Sequence, residues 1–232
     1  MLKAIVFDFD GVIVDSEPIH CQAFLRVVRP LGVDFDYPTY VERYAGFDDR
    51  EGLAAILNDA GLSREPERIA ELIQRKAEAL AAIVGEGVRP MDGAAAMIRA
   101  CDKRWPLAIA SGALRSDIDL MLPAVAHDLA ARFDAFVTAE DVDRSKPHPA
   151  TYRLAVERLD AALNRERAEP PLAPGDCLAI EDTPAGLASA RDAGLRTLAV
   201  ANTYPADQLD AADRIVETLA GLTADQLDAM FP

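Results

Sequence analysis

Two aspartates, Asp8 and Asp10, end an apolar run near the start of the chain, in the stretch KAIVFDFDGVIVDSEP. A short apolar run of this kind is typical of a buried β-strand. Side chains two positions apart on a strand share a face and lie roughly 6–7 Å apart. Because uncompensated carboxylates are costly at the end of a buried strand, the pair predicts nucleophilic or acid–base chemistry on one substrate.

Polar residues also follow three later apolar runs. Ser111 ends the run PLAIASG, Lys146 lies in the SKPHP loop after the next run, and Glu181 and Asp182 end the run CLAIEDT. In an open α/β sheet, ligands bind outside the carboxyl ends of the strands. If the strand that ends in Glu181 lies beside the first strand, we expect these side chains to converge with the aspartate pair.

Four carboxylates, those of Asp8, Asp10, Glu181 and Asp182, would meet at this point. Like charges at short range raise each other's pKa, and a divalent cation relieves the repulsion. An all-oxygen site favours Mg²⁺. The cation would also supply a local positive field in a chain whose formal net charge is −15. We therefore predict Mg²⁺ as the cofactor and these four residues as its ligands.

The remaining polar groups fit a phosphoryl ligand. The Ser111 hydroxyl and the backbone N–H groups of Gly112 and Ala113 can bind phosphoryl oxygens. Lys146 can neutralise a phosphate and keep a nearby nucleophilic carboxylate ionised. The chemistry that fits is phosphoryl transfer through an aspartyl-phosphate, in which one aspartate attacks phosphorus and the other protonates the leaving oxygen and then activates water.

The elements that would position these residues are strands alternating with helices. Apolar runs predict parallel strands at 3–10, 106–112, 133–141, 177–183 and 195–202, and helices between them at 92–103, 115–130, 148–164, 184–193 and 206–219. Residues 17–86 carry only helical patterns. The predicted fold is α/β, with a doubly wound parallel sheet as a Rossmann-like core (1–16 and 87–232) and an inserted all-helical cap (17–86).

Composition limits the partners. The strongly acidic balance disfavours nucleic acid and anionic membranes. The chain carries neither a membrane-length apolar stretch nor the charged-then-apolar layout of a signal peptide, so we expect a cytoplasmic location. The expected partner is a small phosphorylated metabolite, and the expected state is a monomer or weak homodimer.

In order and spacing, the stretches DFDGVIVDSE, SGA, SKPHP and EDTPAG resemble the four motifs of the haloacid dehalogenase-like (HAD) phosphohydrolase superfamily. The resemblance implies that Asp8 is the nucleophile and that Asp10 is the general acid/base, whose backbone carbonyl also binds Mg²⁺. It further implies that Ser111 binds phosphate, that Lys146 is the motif-three lysine, and that Asp182, with Glu181 nearby, completes the metal site.

The helical insertion after the first motif is similar to that of the subgroup containing phosphoglycolate phosphatases and β-phosphoglucomutases. The resemblance implies a cap that closes over the active site and selects the substrate. In the cap, Arg50 and His20 are the candidate substrate contacts. The haloacid dehalogenases that give the superfamily its name lack the second aspartate, so the presence of Asp10 favours phosphate chemistry.

Two activities stay open at this point. The leading hypothesis is a Mg²⁺-dependent phosphatase, and the alternative is a sugar-phosphate mutase. A mutase-like cap loop reads Gly, a short gap, then Arg-Glu-Asp-Ser, whereas here Gly46 is followed by FDDREG, with Gly52 where an acid is expected. This departure weakens the mutase hypothesis. His20 favours the mutase hypothesis, because members of the family that resemble mutases also have a histidine at this place. A signalling receiver domain would use similar residues but would need no cap.

Overall fold

In a computed structural model of the chain, which describes residues 2–45, 47–163 and 171–232, six strands form one parallel sheet. The strands are β1 (Ala4–Phe7), β2 (Leu107–Ala110), β3 (Ala135–Val137), β4 (Cys177–Glu181), β5 (Arg196–Val200) and β6 (Arg214–Val216). Their order in the sheet is β3-β2-β1-β4-β5-β6. The predicted α/β fold with a doubly wound, Rossmann-like parallel sheet is confirmed.

The register of the central strands determines which residues meet at the carboxyl edge of the sheet. Phe7 of β1 pairs with Ile109 of β2 on one side and with Ile180 of β4 on the other. Asp8 follows β1 directly, so it lies level with the ends of both neighbouring strands. The sheet therefore brings the first acidic stretch beside the second, as the sequence predicts.

The chain divides into two compact units, Met1–Asp15 with Arg89–Pro232, and Ser16–Val88. The second unit is helical in its described part, with α1 (Glu17–Val28), α2 (Tyr37–Arg43), α3 (Asp49–Asp59) and α4 (Pro66–Glu86). Its buried core includes Phe24, Tyr40, Leu53, Ile56 and Leu72. Each such side chain contributes roughly 1.5–3 kcal/mol when it is removed from water, so this unit has an apolar core of its own.

The first unit packs helices against the sheet. They are α5 (Ala94–Cys101), α6 (Arg115–Val125), α7 (Ala150–Leu163), α8 (Pro184–Asp192) and α9 (Ala224–Met230). Every residue of β1, β2 and β4 is buried, which explains their continuous apolar sequence. Helix α8 begins directly after the motif acids because the Thr183 side chain accepts a hydrogen bond from the N–H of Gly186 and Pro184 suits the first turn.

The predicted helix at 206–219 is wrong. The segment instead holds a 3₁₀ turn at Ala206–Gln208 and the strand β6, which pairs with β5. Ile215 and Val216 are adjacent β-branched residues, which favour a strand, and the exposed edge of β5 supplies the hydrogen-bonding partners.

The first strand is also shorter than predicted. It ends at Phe7, so Asp8 and Asp10 do not share a face of a strand. After Asp8 the chain turns, with Gly11 at a φ of 71° and hydrogen bonds from Gly11 N to Val14 O and from Ile13 N to Phe9 O. Only glycine adopts this backbone conformation without strain, so Gly11 makes the turn possible.

Within the described part of the chain, no helix combines the length and apolar character needed to cross a membrane.

Candidate active site

Asp8 lies directly beyond β1 and is almost fully buried. Its backbone N–H donates to Ile180 O at 2.9 Å, which extends the ladder between β1 and β4 by one residue. Its Oδ1 accepts a hydrogen bond from Lys146 Nζ at 2.8 Å. Burial raises the pKa of Asp8 well above its usual value, as does the charge of Glu181, while the charge of Lys146 opposes the rise. The carboxylate therefore needs nearby positive charge to stay ionised.

Lys146 joins the two acidic stretches. Its Nζ donates to Asp8 Oδ1 at 2.8 Å and to Glu181 Oε1 at 2.6 Å. Burial on its own would lower the pKa of the ammonium, but the two carboxylates outweigh burial and raise the pKa above its ordinary value. Lys146 is therefore a permanent positive charge between Asp8 and Glu181.

Glu181, at the end of β4, is fully buried and accepts five hydrogen bonds. Its Oε1 accepts from Lys146 and from the Tyr152 hydroxyl, the latter at 2.7 Å. Its Oε2 accepts from the backbone N–H groups of Asp182 and Thr183 and from the Thr183 hydroxyl. Both oxygens of this predicted metal ligand are thus engaged by protein donors.

The Asp182 carboxylate accepts a hydrogen bond on one of its two oxygens. Its Oδ2 accepts a hydrogen bond from the Thr203 hydroxyl, while its Oδ1 is buried and has no hydrogen-bond partner among the described residues. Burial, together with the charge of Glu181, raises the pKa of Asp182 to about 7. A buried oxygen without a donor is costly unless a ligand satisfies it.

The acids fit a hard divalent cation. Asp8, Glu181 and Asp182 each offer a carboxylate oxygen, and these atoms lie within 4.8 Å of one another. The unpartnered Oδ1 of Asp182 and the raised pKa values of Asp8 and Asp182 are both what a cation would correct. All of the atoms that would bind the cation are oxygens, which are the ligands that Mg²⁺ prefers.

Ser111 and Asp10 lie at the same edge of the sheet. The Ser111 hydroxyl donates to Asp10 Oδ2 at 3.4 Å and accepts from the N–H of Ala113 at 3.0 Å. A Cβ added at Gly112 would meet no atom within 4 Å, so this turn is open on that side. The structure therefore brings Asp8, Asp10, Ser111, Lys146, Glu181 and Asp182 together, and their individual roles stay predictions.

The predicted substrate contacts His20 and Arg50 belong to the helical unit. Arg50 is exposed in the first turn of α3. His20 Nδ1 lies 3.1 Å from Lys76 Nζ, and Lys76 also pairs with Asp49. Burial, and then the charge of Lys76, lower the pKa of His20 to about 3, so its ring is neutral. Both substrate contacts stay predictions.

The neutral state of His20 gives a prediction about acid stability. The pKa of His20 is near 6.5 in the unfolded chain and about 3 in the folded protein. Below pH 6.5, His20 therefore binds a proton in the unfolded chain but stays neutral in the folded one. Stability from this residue is therefore present above pH 6.5 and is lost as the pH falls. Between pH 7 and pH 5 the wild type should lose about 2 kcal/mol more free energy of unfolding than His20→Gln, measured by urea titration. Equal losses in both proteins would contradict the prediction.

Gly52, in the first turn of α3, has little room for a side chain. A Cβ at Gly52 would lie 3.0 Å from Cζ of Phe24, whose ring lies under the Lys76 ammonium at 4.6 Å. This packing explains the glycine where an acid was expected. Gly46, the glycine that begins the mutase-like pattern in the cap, lies outside the described residues.

Residues that contact the acids but were not predicted from the sequence include Tyr152 and Thr203. Tyr152, in the first turn of α7, looks like an ordinary apolar position of a helix, and no sequence signal identifies it. Thr203 follows β5, so the rule that polar residues at the carboxyl ends of strands form the site would have found it.

Removal of the Tyr152 hydroxyl should destabilise the core unit. Tyr152 is fully buried, and its hydroxyl donates to a charged carboxylate, that of Glu181. Hydrogen bonds to charged groups contribute roughly 1.5–3 kcal/mol, so Tyr152→Phe should lower the free energy of unfolding by about that amount. Chemical denaturation measures the change. Tyr204→Phe, the same change at an exposed tyrosine, should have no effect, and an equal effect of the two variants would contradict the prediction.

Comparisons with known proteins agree with this geometry. The family model described as haloacid dehalogenase-like hydrolase matches residues 2–194. Protein CbbY of Rhodobacter capsulatus is 33% identical over 232 residues, covering 96% of each chain. Fructose-1-phosphate phosphatase YqaB of Escherichia coli is 29% identical over 193 residues, which cover 82% of this chain and 92% of that one.

Among solved structures, a mutant of CbbY from Rhodobacter sphaeroides in complex with xylulose-(1,5)bisphosphate is similar, with a TM-score of 0.79. It is 28% identical in sequence, and the match covers 96% of both chains. The family match, the identity to CbbY and the arrangement of acids around Lys146 all lead to one assignment. The chain belongs to the haloacid dehalogenase-like hydrolases.

Proposed function

We propose that this hydrolase is a Mg²⁺-dependent phosphatase of small phosphorylated sugars, acting through an aspartyl-phosphate at Asp8. The observation that carries the proposal is the placement of Asp8 between a buried lysine and a buried acid. Lys146 donates to Asp8 Oδ1, and Asp182, at the end of the neighbouring strand, has one oxygen for which the described residues supply no donor. This arrangement suits a carboxylate that must be ionised in a site that binds phosphate.

In the proposed reaction an Asp8 oxygen attacks phosphorus, and the bond from phosphorus to the leaving oxygen breaks. Asp10 protonates that oxygen as it leaves. Asp10 then takes a proton from water, which attacks the aspartyl-phosphate and releases inorganic phosphate, restoring Asp8. Lys146 and the Ser111 turn bind the phosphoryl oxygens. A bound Mg²⁺ would supply positive charge that offsets the negative charge of these oxygens and of the carboxylates.

The metal ligands in this proposal differ in how they are engaged. Asp8, the backbone carbonyl of Asp10, and Asp182 through its unpartnered Oδ1 would hold the cation directly. Glu181 already accepts five hydrogen bonds, so we infer that it acts mainly by fixing Lys146 and by adding negative charge beside the cation.

The names of the relatives support a substrate class. One is named a fructose-1-phosphate phosphatase, and a CbbY mutant has been solved with a sugar bisphosphate. We infer that the substrate of this chain is also a phosphorylated sugar. In a protein with a net charge of −15, such an anion needs local cations, and we propose that Lys146 supplies this positive charge.

The test is a panel of phosphorylated sugars that includes fructose 1-phosphate, xylulose 1,5-bisphosphate and β-glucose 1-phosphate. Phosphate release is measured with Mg²⁺ and after chelation of divalent cations. We expect release from at least one sugar phosphate, and only with the cation. Release that survives complete chelation would contradict the Mg²⁺ dependence. Conversion of β-glucose 1-phosphate to glucose 6-phosphate without net phosphate release would identify the mutase instead.

A further inference from the structure

The turn after β5 contacts both acidic stretches of the site. The Thr203 hydroxyl donates to Asp182 Oδ2, and the Asn202 side-chain amide donates to Gly11 O at 2.8 Å. Gly11 belongs to the turn that follows Asp8 and Asp10, whereas Asp182 follows β4. A single two-residue segment therefore ties the two acidic loops to each other.

Close packing leaves Asp182 Oδ2 little freedom to move. A Cβ at Gly11 would lie 1.9 Å from Asp182 Oδ2 and 2.7 Å from Thr203 Oγ1. The Gly11 backbone thus packs against one side of the Asp182 carboxylate, and the Thr203 hydroxyl donates a hydrogen bond to its Oδ2. Rotation of the carboxylate plane away from this position would break the hydrogen bond from Thr203. One oxygen, Oδ2, is thereby engaged by the protein, and the other, Oδ1, has no donor in the part of the chain that the structure describes.

We propose that Thr203 is a positioning residue for the divalent cation, because it fixes the Asp182 carboxylate with Oδ1 directed to the metal. The inference rests on the proposed function, since it takes the acidic cluster to be a Mg²⁺ site. Groups that orient a metal ligand through a hydrogen bond typically change metal affinity 10–100-fold when they are removed.

Thr203 affects the stability of the fold mainly through its hydroxyl. Thr203 is an exposed residue, so replacing it removes little buried apolar surface. Loss of the hydroxyl takes a donor from the buried Asp182 carboxylate, so both stability and cation binding should fall. A variant that loses a similar hydrogen bond away from the site is therefore the comparison, because a positioning role predicts weaker cation binding for Thr203 and not for that variant.

The experiment titrates Mg²⁺ alone into the substrate-free protein by calorimetry. Thr203→Val keeps the shape of the side chain and removes the hydroxyl, and Thr203→Ser keeps the hydroxyl. We expect the dissociation constant to rise by about 10-fold or more in Thr203→Val and to stay within about twofold of wild type in Thr203→Ser. Thermal unfolding without the cation should be the same in wild type and Thr203→Ser, whereas Thr203→Val should melt at a lower temperature because Asp182 Oδ2 loses its donor.

The matched control is Thr197→Val. Thr197 lies in β5, the strand that precedes Thr203 in the chain. Its hydroxyl also donates to a carboxylate, that of Asp213, but at the end of β5 away from the acids. This variant should bind Mg²⁺ as the wild type does. Wild-type affinity in Thr203→Val, or equal weakening in the valine and serine variants, would overturn the role of Thr203 while leaving the proposed function standing. Failure of the wild type to bind Mg²⁺ would overturn the proposed function itself.

Discussion

Asp8→Asn is expected to lower the turnover number for phosphate release by roughly 10³-fold or more. An amide has nearly the shape of the carboxylate and can still accept the hydrogen bond from Lys146, but it is a poor nucleophile toward phosphorus. The loss should therefore appear in turnover, with substrate binding retained. Steady-state kinetics on the best sugar phosphate of the panel, together with equilibrium binding of that substrate, separates the two effects.

The stability of Asp8→Asn shows whether a loss of turnover could come from unfolding. Asp8 is buried beside Glu181 and Asp182, and burial disfavours its charge, so a neutral amide removes repulsion when no cation is bound. We expect Asp8→Asn to melt no lower than the wild type in chelator. Asp176→Asn is the control, because Asp176 precedes β4 at the other end of the sheet and pairs with Lys3. Turnover that survives in Asp8→Asn would refute the aspartyl-phosphate mechanism.

The sequence predicted the meeting of the acids because that meeting depends on local patterns and one general rule. Buried strands are visible as continuous apolar runs, and parallel strands present their carboxyl ends at one edge. Once β1 pairs with β4, the residues beyond Phe7 and Ile180 must be neighbours. No contact between side chains had to be known for this step.

Other features depend on contacts that no local pattern records. Whether 206–219 became a helix or a strand was decided by the free edge of β5, which offers hydrogen bonds to β6. Tyr152 acts on Glu181 through one hydroxyl, although the two residues lie 29 positions apart in sequence. Likewise, the Asp182 oxygen without a donor becomes visible only when every neighbouring donor is in place.

Lys146→Met is expected to have the second large effect, because it removes the positive charge that the buried carboxylates share. Methionine keeps an unbranched side chain of similar length, so the change tests charge more than packing. Removing a donor that binds the reacting oxygens typically costs about 10²–10³-fold in turnover, and we expect a loss of that size for phosphate release.

The same variant should lose stability, in contrast to Asp8→Asn. Without Lys146, Asp8 and Glu181 stay buried with no cation between them, and breaking a buried ion pair by removal of one partner costs roughly 3–5 kcal/mol. Chemical denaturation in chelator measures the cost, and Lys103→Met, at an exposed lysine, is the control. The two substitutions thus test opposite signs of one electrostatic balance: removal of the buried acid relieves repulsion, and removal of the buried base exposes it. Equal stability of Lys146→Met and wild type would contradict the view that this ammonium holds the acidic strand ends together.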